Sequence, residues 1–373
     1  MIAPNIFSKD ELDRYSRHFV LPQFGESAQA KLKQASVAVV GAGGLGCPAL
    51  QYLTAAGVGK ILIFDFDQIS LSNLQRQVLY TSDDIGVLKA EVACARLKKL
   101  NAHVQLQPHC LKLNSGNALS LLRDVNIVID CTDNFPTRYL LNDACVLLNK
   151  PLVYGSVFRY EGQLAIFNWK NSATYRDLYP LPPNPSAVPN CEQGGVLGVL
   201  PGIIGTMQAN EAIKLITGIG DPLVNKLLLL DVLSLQSQII SVPNKNARQT
   251  ISHLIDYDHF CSNQPLNNMK EVTVQELKAL KDSNANFQLI DVREPHEYDI
   301  CNLDGELIPQ GEIPHNVDKI SKDKQVVIHC RSGGRSGNMV KWLEANHGFT
   351  NLYNLKGGVL AWAKEIDTSM PTY

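Results

Sequence analysis

Two short stretches of this 373-residue chain carry residues whose types and spacing can do chemistry. The first, VAVVGAGGLGCPAL at 37–50, sets Gly41, Gly43 and Gly46 as G-x-G-x-x-G directly after an apolar run. Such a turn lets a ligand's phosphates approach the N-terminus of the next helix, where free N–H groups and the helix dipole favour an anion. The second, VVIHCRSGGRS at 326–336, ends a β-prone run on Cys330 and continues as Arg331, Ser332, Gly333, Gly334, Arg335 and Ser336. A tight loop folded around a thiol aims backbone N–H groups at the sulfur. The following helix and the two arginines add positive potential. All three favour thiolate over thiol, and the same cradle would hold a persulfide anion.

These turns need elements that hold them. Around the first, 35–44 reads as strand and turn, 46–59 as helix and 60–67 as strand, the order and length of one βαβ unit. A helix over 88–100 and strands over 103–110 and 126–134 continue the alternation, which implies a mainly parallel sheet covered on both faces. Residues 8–19 read as a helix capped by Ser8 with Glu11 three residues on. From 150 to 169 the pattern changes to paired strands, an antiparallel extension. Five prolines between 180 and 189 make a long loop. Residues 202–218 read as a helix ending at Gly218, and 225–232 as a strand. The stretch 243–270 is polar and reads as irregular. A strand–helix alternation then restarts, with Cys330 closing a strand over 325–330 and a helix from Ser336. The expected organisation is α/β throughout: a Rossmann-like domain over 1–262, a linker over 263–269 and a small α/β domain over 270–373.

Bulk properties narrow the classes. A formal charge of −2 argues against a general binder of nucleic acid or membrane surface. No apolar run reaches the roughly 18 residues that span a bilayer, and the first residues lack the apolar core of a signal peptide. The nine cysteines are scattered and none forms a C-x-x-C pair, which suits free thiols in a reducing cytoplasm.

The glycine turn alone suits a nicotinamide dinucleotide, with Asp65 at the end of the second strand accepting from ribose hydroxyls. Arg76 in SNLQRQ and Lys89 at the next helix start shift the expectation: two fixed cations near one nucleotide suit a triphosphate better. Asp133, emerging at a third strand end, is the carboxylate expected to meet Mg²⁺ between itself and the phosphates. Arg14 and Arg17 precede the first strand without an evident local partner.

The stretches RYSRHFVLPQFG, GAGGLGCPALQYLTAAGVGKILIFDFDQISLSNLQRQVLY, GVLKAEVA and CTDNFPTRYLLNDAC closely resemble the MoeB/ThiF family, bacterial relatives of ubiquitin-activating enzymes, over about 8–240. The resemblance implies ATP and Mg²⁺ held by Gly41, Gly43, Gly44, Gly46, Asp65, Asp67, Ser72, Asn73, Leu74, Gln75, Arg76, Lys89, Asp133 and Asn134. It implies a homodimer in which Arg14 reaches the nucleotide of the other subunit. The implied reaction is adenylation of the C-terminal glycine of a ubiquitin-like sulfur carrier, with Arg76, Lys89 and Asp133 acting on the phosphates and Mg²⁺. Many members bind zinc through two C-x-x-C pairs. Here Thr174 and Asp177 stand at the first place and Cys261 alone near the second, so no zinc is expected. Cys191 matches a cysteine that some relatives use to hold the carrier covalently.

The three stretches LIDVREPHEY, HCRSGGRS and NLKGGVLAW resemble a rhodanese domain over about 270–373. That implies Cys330 as the carrier of transferable sulfur, charged by a donor such as a cysteine desulfurase or thiosulfate, with Asp291 and Arg293 holding the fold beside it. The combined expectation is an adenylyltransferase with a sulfurtransferase domain, making a thiocarboxylate for molybdopterin or thiazole synthesis. The alternatives are an NAD-dependent oxidoreductase with an accessory thiol domain, and a scaffold that only binds a ubiquitin-like partner.

Overall fold

The computed structural model describes residues 6–183, 194–262 and 269–372. The chain forms two compact units that part after Cys261.

The first unit is built on an eight-stranded sheet. Its strands are β1 (Ser36–Val40), β2 (Lys60–Phe64), β3 (Gln105–His109), β4 (Ile127–Asp130), β5 (Leu152–Phe158), β6 (Glu161–Phe167), β7 (Lys226–Asp231) and β8 (Gln236–Ser241). Their spatial order is β3-β2-β1-β4-β5-β6-β7-β8. The first five run parallel, and β5 to β8 form an antiparallel meander. Alternation along β1 shows why the parallel part is apolar throughout. Val37 and Val39 join one core cluster, Ala38 and Val40 the other, so each face of the strand is buried. The helices Gly46–Ala56 and Val199–Thr217 cover the first face, and Phe135–Leu148 covers the second.

From β1 the chain moves outward through β2 to β3, then returns across β1 to β4. Connections leaving the carboxyl ends of β1 and β4 therefore diverge, which opens a crevice there. The glycine turn leaves β1 and Asp133 lies just past β4, so both expected phosphate elements reach this crevice. Gly41 is required by the turn. Its φ is +93°, and a Cβ would lie 2.6 Å from the Cys131 carbonyl oxygen at the end of β4. Alanine there combines left-handed strain with a backbone clash, so Gly41→Ala is expected to destabilise this unit by about 2–4 kcal/mol, read by urea denaturation.

The expected N-terminal helix is two short ones, Lys9–Arg14 and Ser16–Phe19, and the Ser8–Glu11 capping box is present. The expected helix before Gly218 runs Val199–Thr217, with Gly218 left-handed at its end. The stretch read as irregular differs. It contains the helix Tyr257–Ser262, with Tyr257 and Cys261 buried against the second face and the Phe260 ring 5.3 Å from that of Tyr139. Its apolar residues sit three and four apart, a helical spacing that polar neighbours obscured.

The second unit is a five-stranded, wholly parallel sheet of β9 (Glu271–Val272), β10 (Phe287–Asp291), β11 (Glu306–Leu307), β12 (Gln325–His329) and β13 (Leu352–Leu355). The order is β11-β10-β12-β13-β9, with β12 at the centre. Side chains of Val326, Ile328 and Cys330 join one core cluster and Val327 joins the other. Cys330 thus stands at the carboxyl end of the central strand, ahead of the helix Gly334–His347. Among the described residues, no helix is long and apolar enough to cross a membrane.

Candidate functional site

A cavity of about 430 Å³ occupies the crevice of the first unit. It is lined by Gly41, Gly43, Gly44, Asp65, Asp67, Asn73, Arg76, Lys89, Asp133 and Asn134 among the residues expected from sequence. Gly46 starts the helix beneath the turn without lining the cavity. Ser72, Leu74 and Gln75 also lie off its wall, although the Ser72 carbonyl accepts from Arg76 Nη1 at 3.0 Å and so steadies that guanidinium. Arg14 is exposed outside the cavity, donating to the Leu100 carbonyl at 3.1 Å. Cys191 lies outside the described residues.

Electrostatics at the rim are closely organised. Asp65 accepts from the Ala42 N–H at 2.7 Å and from the Asp67 N–H at 2.9 Å, so it braces the glycine turn. Each carboxylate oxygen accepts two hydrogen bonds, so these do not preclude the expected ribose hydroxyls. Burial pushes the Asp65 carboxyl up, against the opposing pull of Lys89 and the two N–H groups. Lys89 is buried and pairs with Asp67 at 3.0 Å, which places its ammonium on the cavity wall. Asp133 is exposed, and among the described residues its carboxylate has no hydrogen-bond partner. A hard oxygen ligand, unpaired among the described residues and facing a nucleotide-sized cavity, fits Mg²⁺.

Residues that the sequence did not single out fix Asp133 in place. Asp130 Oδ1 accepts from the N–H and the hydroxyl of Thr132, at 2.9 and 2.6 Å. Arg138 donates to the Thr132 carbonyl at 3.1 Å, its guanidinium resting over the rings of Phe135 and Tyr154. Asn134 caps the next helix by accepting from the Thr137 N–H at 3.0 Å. Gln77, buried beside Gly43, also faces the cavity, and among the described residues its Oε1 has no partner. Asn134 was expected at the nucleotide; Thr132 and Arg138 sat inside the CTDNFPTRYLLNDAC stretch and Gln77 was a second amide in LQRQ, but none of these three was singled out. Two buried thiols nearby are no nucleophiles: burial pushes Cys47 up to about 12 and Cys131 well above its ordinary value.

Where the zinc-binding members carry their first cysteine pair, Thr174 and Asp177 form a hydrogen-bonded box. Asp177 accepts from the Thr174 N–H and hydroxyl, both at 2.7 Å, and from the N–H groups of Lys245 and Ala247, at 2.7 and 3.1 Å. One carboxylate thereby staples residue 174 to the 245–247 segment. Among the described residues, no group of three or more His, Cys, Asp or Glu side chains could hold a metal. Burial works against the Asp177 carboxylate, but these four hydrogen bonds together hold it below the usual carboxylate range. Its contribution to stability is therefore full above the ordinary carboxylate value near 4 and is lost as pH falls below that. Asp177→Asn turns an N–H donor toward Thr174. It is expected to cost about 2 kcal/mol at pH 7 and to flatten the acid-side loss, read by urea denaturation at the two pH values.

In the second unit Cys330 is 1% exposed, and its sulfur is ringed by polar contacts. The Gly333 N–H donates to Sγ at 3.2 Å and Ser336 Oγ lies 3.4 Å away. One loop N–H reaches the sulfur among the described residues, rather than several. Arg335 also departs from the expectation, because its guanidinium grips Glu297 through two bonds of 2.6 Å. It anchors the loop to the helix Pro295–Ile300 more than it bathes the sulfur in charge. Arg293 is wholly buried, bonded to both oxygens of Asp291 and to the carbonyls of Glu297 and Cys301, a purely architectural set. His329 is no base for Cys330. Its side chain leaves β12 on the opposite face, and burial pushes it down to about 4, so it stays neutral.

A phosphate-binding crevice on a doubly wound sheet, followed by a cysteine loop on a parallel sheet, defines a nucleotide-binding protein with an appended thiol-chemistry domain. The chain belongs to the ThiF family, which it matches over residues 15–251, and a rhodanese-like domain follows over 273–365. It is 41% identical over 379 residues to MoeZ of Mycobacterium tuberculosis, named a probable adenylyltransferase/sulfurtransferase, covering 98% of this chain and 96% of that protein. It is also 41% identical over 389 residues to the adenylyltransferase and sulfurtransferase MOCS3 of Drosophila yakuba, covering 98% and 86%. Among solved structures, E. coli MccB with ATP shares the fold at a TM-score of 0.56 and 23% identity, over 65% of this chain and 74% of that one.

Proposed function

We propose that this chain adenylates the C-terminal glycine of a ubiquitin-like sulfur carrier and then delivers sulfur to it from Cys330. The observation that carries the reading is the crevice itself. Glycine turn, Asp65, Lys89, Arg76 and Asp133 meet in one cavity, and a rhodanese-like cysteine loop follows in the same chain.

The carrier's terminal carboxylate attacks the α-phosphorus of ATP. The bond to the β-phosphate oxygen breaks, and pyrophosphate leaves. N–H groups of the glycine turn cradle the phosphates, while Lys89 and Arg76 offset the charge that develops on them. Asp133 would hold Mg²⁺, which would supply neutralisation of the phosphate charge. Asp130, Thr132 and Arg138 fix the peptide that presents Asp133. Little covalent work falls to the protein, so positioning carries most of the rate.

The acyl adenylate is electrophilic and a persulfide is a strong nucleophile. The outer sulfur of the Cys330 persulfide attacks the acyl carbon and AMP departs. A thiol then opens the resulting disulfide to release the thiocarboxylate; in a second route the carrier is first held covalently on Cys191 before sulfur is delivered. Joining both chemistries in one chain raises the local concentration of one for the other, to about the millimolar range for a flexible tether able to span. A homodimer placing Arg14 at a neighbour's nucleotide, a reducing cytoplasmic setting and a molybdopterin-directed carrier complete the reading.

Pyrophosphate–ATP exchange tests the first half. Exchange is expected only when Mg²⁺ and a carrier ending in Gly-Gly are both present. Exchange without any carrier, or NAD binding in the crevice, contradicts it.

A further inference from the structure

The sulfur of Cys330 ends a line of polar groups that leads to the protein surface. Ser336 Oγ lies 3.4 Å from Sγ and 2.6 Å from Asn354 Oδ1, and Asn354 Nδ2 lies 3.3 Å from Glu271 Oε1. Cys330, Ser336 and Asn354 are all buried, while Glu271 is exposed at the start of β9. Three elements far apart in sequence thus meet: the cysteine loop, β13 and β9.

Counting protons gives this line a direction. A carboxylate only accepts, so Glu271 claims the Asn354 NH₂ and turns Oδ1 toward Ser336. Ser336 has one proton, and at 2.6 Å it goes to Oδ1. What Ser336 then shows to Cys330 is a lone pair. A neutral S–H can donate to that lone pair. A thiolate or persulfide anion needs a donor instead, and among the described residues the Gly333 N–H is the one backbone donor that reaches it.

We propose that Glu271 and Asn354 are positioning residues that set whether Ser336 accepts from the Cys330 sulfur or donates to it. With Glu271 engaged, the relay favours the protonated thiol. When Glu271 lets go, the amide turns over, Nδ2 donates to Ser336, and the hydroxyl proton swings onto the anionic sulfur. The thiol proton passes to solvent base, and no covalent bond changes. A surface carboxylate thereby tunes how readily the enclosed sulfur carries negative charge. This rests on the assignment of Cys330 as the sulfur-bearing nucleophile.

Other charges around the line are held elsewhere. Lys270 donates to the Thr350 carbonyl, and Glu276 caps its own helix through Thr273. Arg335 is on Glu297, and His329 is neutral on the opposite face with Asp291 and Arg293. Arg331 on the loop is common to every variant below.

The test is the pH profile of iodoacetamide modification at Cys330 in the full-length chain, read on the Cys330 peptide by mass spectrometry because exposed Cys110 also reacts. Glu271→Gln can accept from or donate to Asn354, so both amide orientations are satisfied. Its midpoint is expected about one pH unit lower than wild type, an about tenfold faster reaction on the acid limb. Ser336→Ala cuts the relay, and in that background Glu271→Gln is expected to shift nothing. A wild-type midpoint in Glu271→Gln overturns the proposal. So does a shift of the same size in the Ser336→Ala background, which would show a charge acting through space. Alkylation needs neither ATP nor a carrier, so these outcomes stand apart from any failure of sulfur transfer.

Discussion

Cys330→Ala is expected to leave carrier-dependent pyrophosphate exchange at the wild-type rate and to abolish thiocarboxylate formation. The split follows from where the groups lie. Exchange needs the crevice, whose described walls come from the first unit. Cys330 belongs to the second unit and to a different core cluster. Removing Sγ deletes one buried sulfur and its contacts with Gly333 and Ser336, an alteration too small to unfold the neighbouring unit. Cys330→Ser distinguishes packing from chemistry, since it keeps the shape and cannot carry a transferable sulfur. Both variants should accumulate acyl adenylate. The measurements are isotope exchange between pyrophosphate and ATP, and the mass of the carrier. A folded Cys330→Ala protein without exchange would contradict the division of labour.

Lys89→Ala is expected to lower exchange by about two to three orders of magnitude, the usual cost of removing a fixed charge aimed at the reacting group. The buried ammonium pairs with Asp67 and pulls electrostatically on Asp65. Without it the cavity keeps two acidic side chains facing a polyanionic substrate, and Asp65 loses the cation that most opposes its upward shift. The loss should therefore appear in kcat/KM and grow as pH falls toward the range where Asp65 takes up a proton, because a protonated Asp65 no longer accepts from the N–H groups of Ala42 and Asp67 with full strength. Lys89→Arg should recover part of the rate, since the charge returns with different reach. A Lys89→Ala enzyme within threefold of wild type would remove Lys89 from the phosphate site.

How much of this was legible in the sequence depended on distance along the chain. The glycine turn, Asp65 and Asp133 were visible because each follows a strand, and strand ends on one rim of a parallel sheet converge whatever the loops do; Lys89 was visible as a cation opening the next helix. Asp130, Thr132 and Arg138 were not, because their role lies in a carboxylate and a guanidinium gripping one peptide from either side. The same holds for Arg335. Its sequence neighbours suggested charge beside the sulfur, but Glu297, 38 residues earlier, takes the guanidinium. Asn354, 18 residues beyond Ser336, opens the NLKGGVLAW stretch, but nothing in that stretch marked it as the partner of the Ser336 hydroxyl. The 174–177 box was half legible. The absence of cysteines could be read, but not the carboxylate that holds the 245–247 segment.

The account stands on activated carboxyl and bound sulfur meeting within one chain. The most direct measurement is intact mass spectrometry of a Gly-Gly-terminated carrier incubated with this protein, ATP, Mg²⁺ and a sulfur donor. The predicted result is the sulfur-for-oxygen mass increase on the carrier, lost when ATP is withheld and lost again in Cys330→Ala. A carrier that gains sulfur without ATP, or equally well with Cys330 replaced, would contradict it.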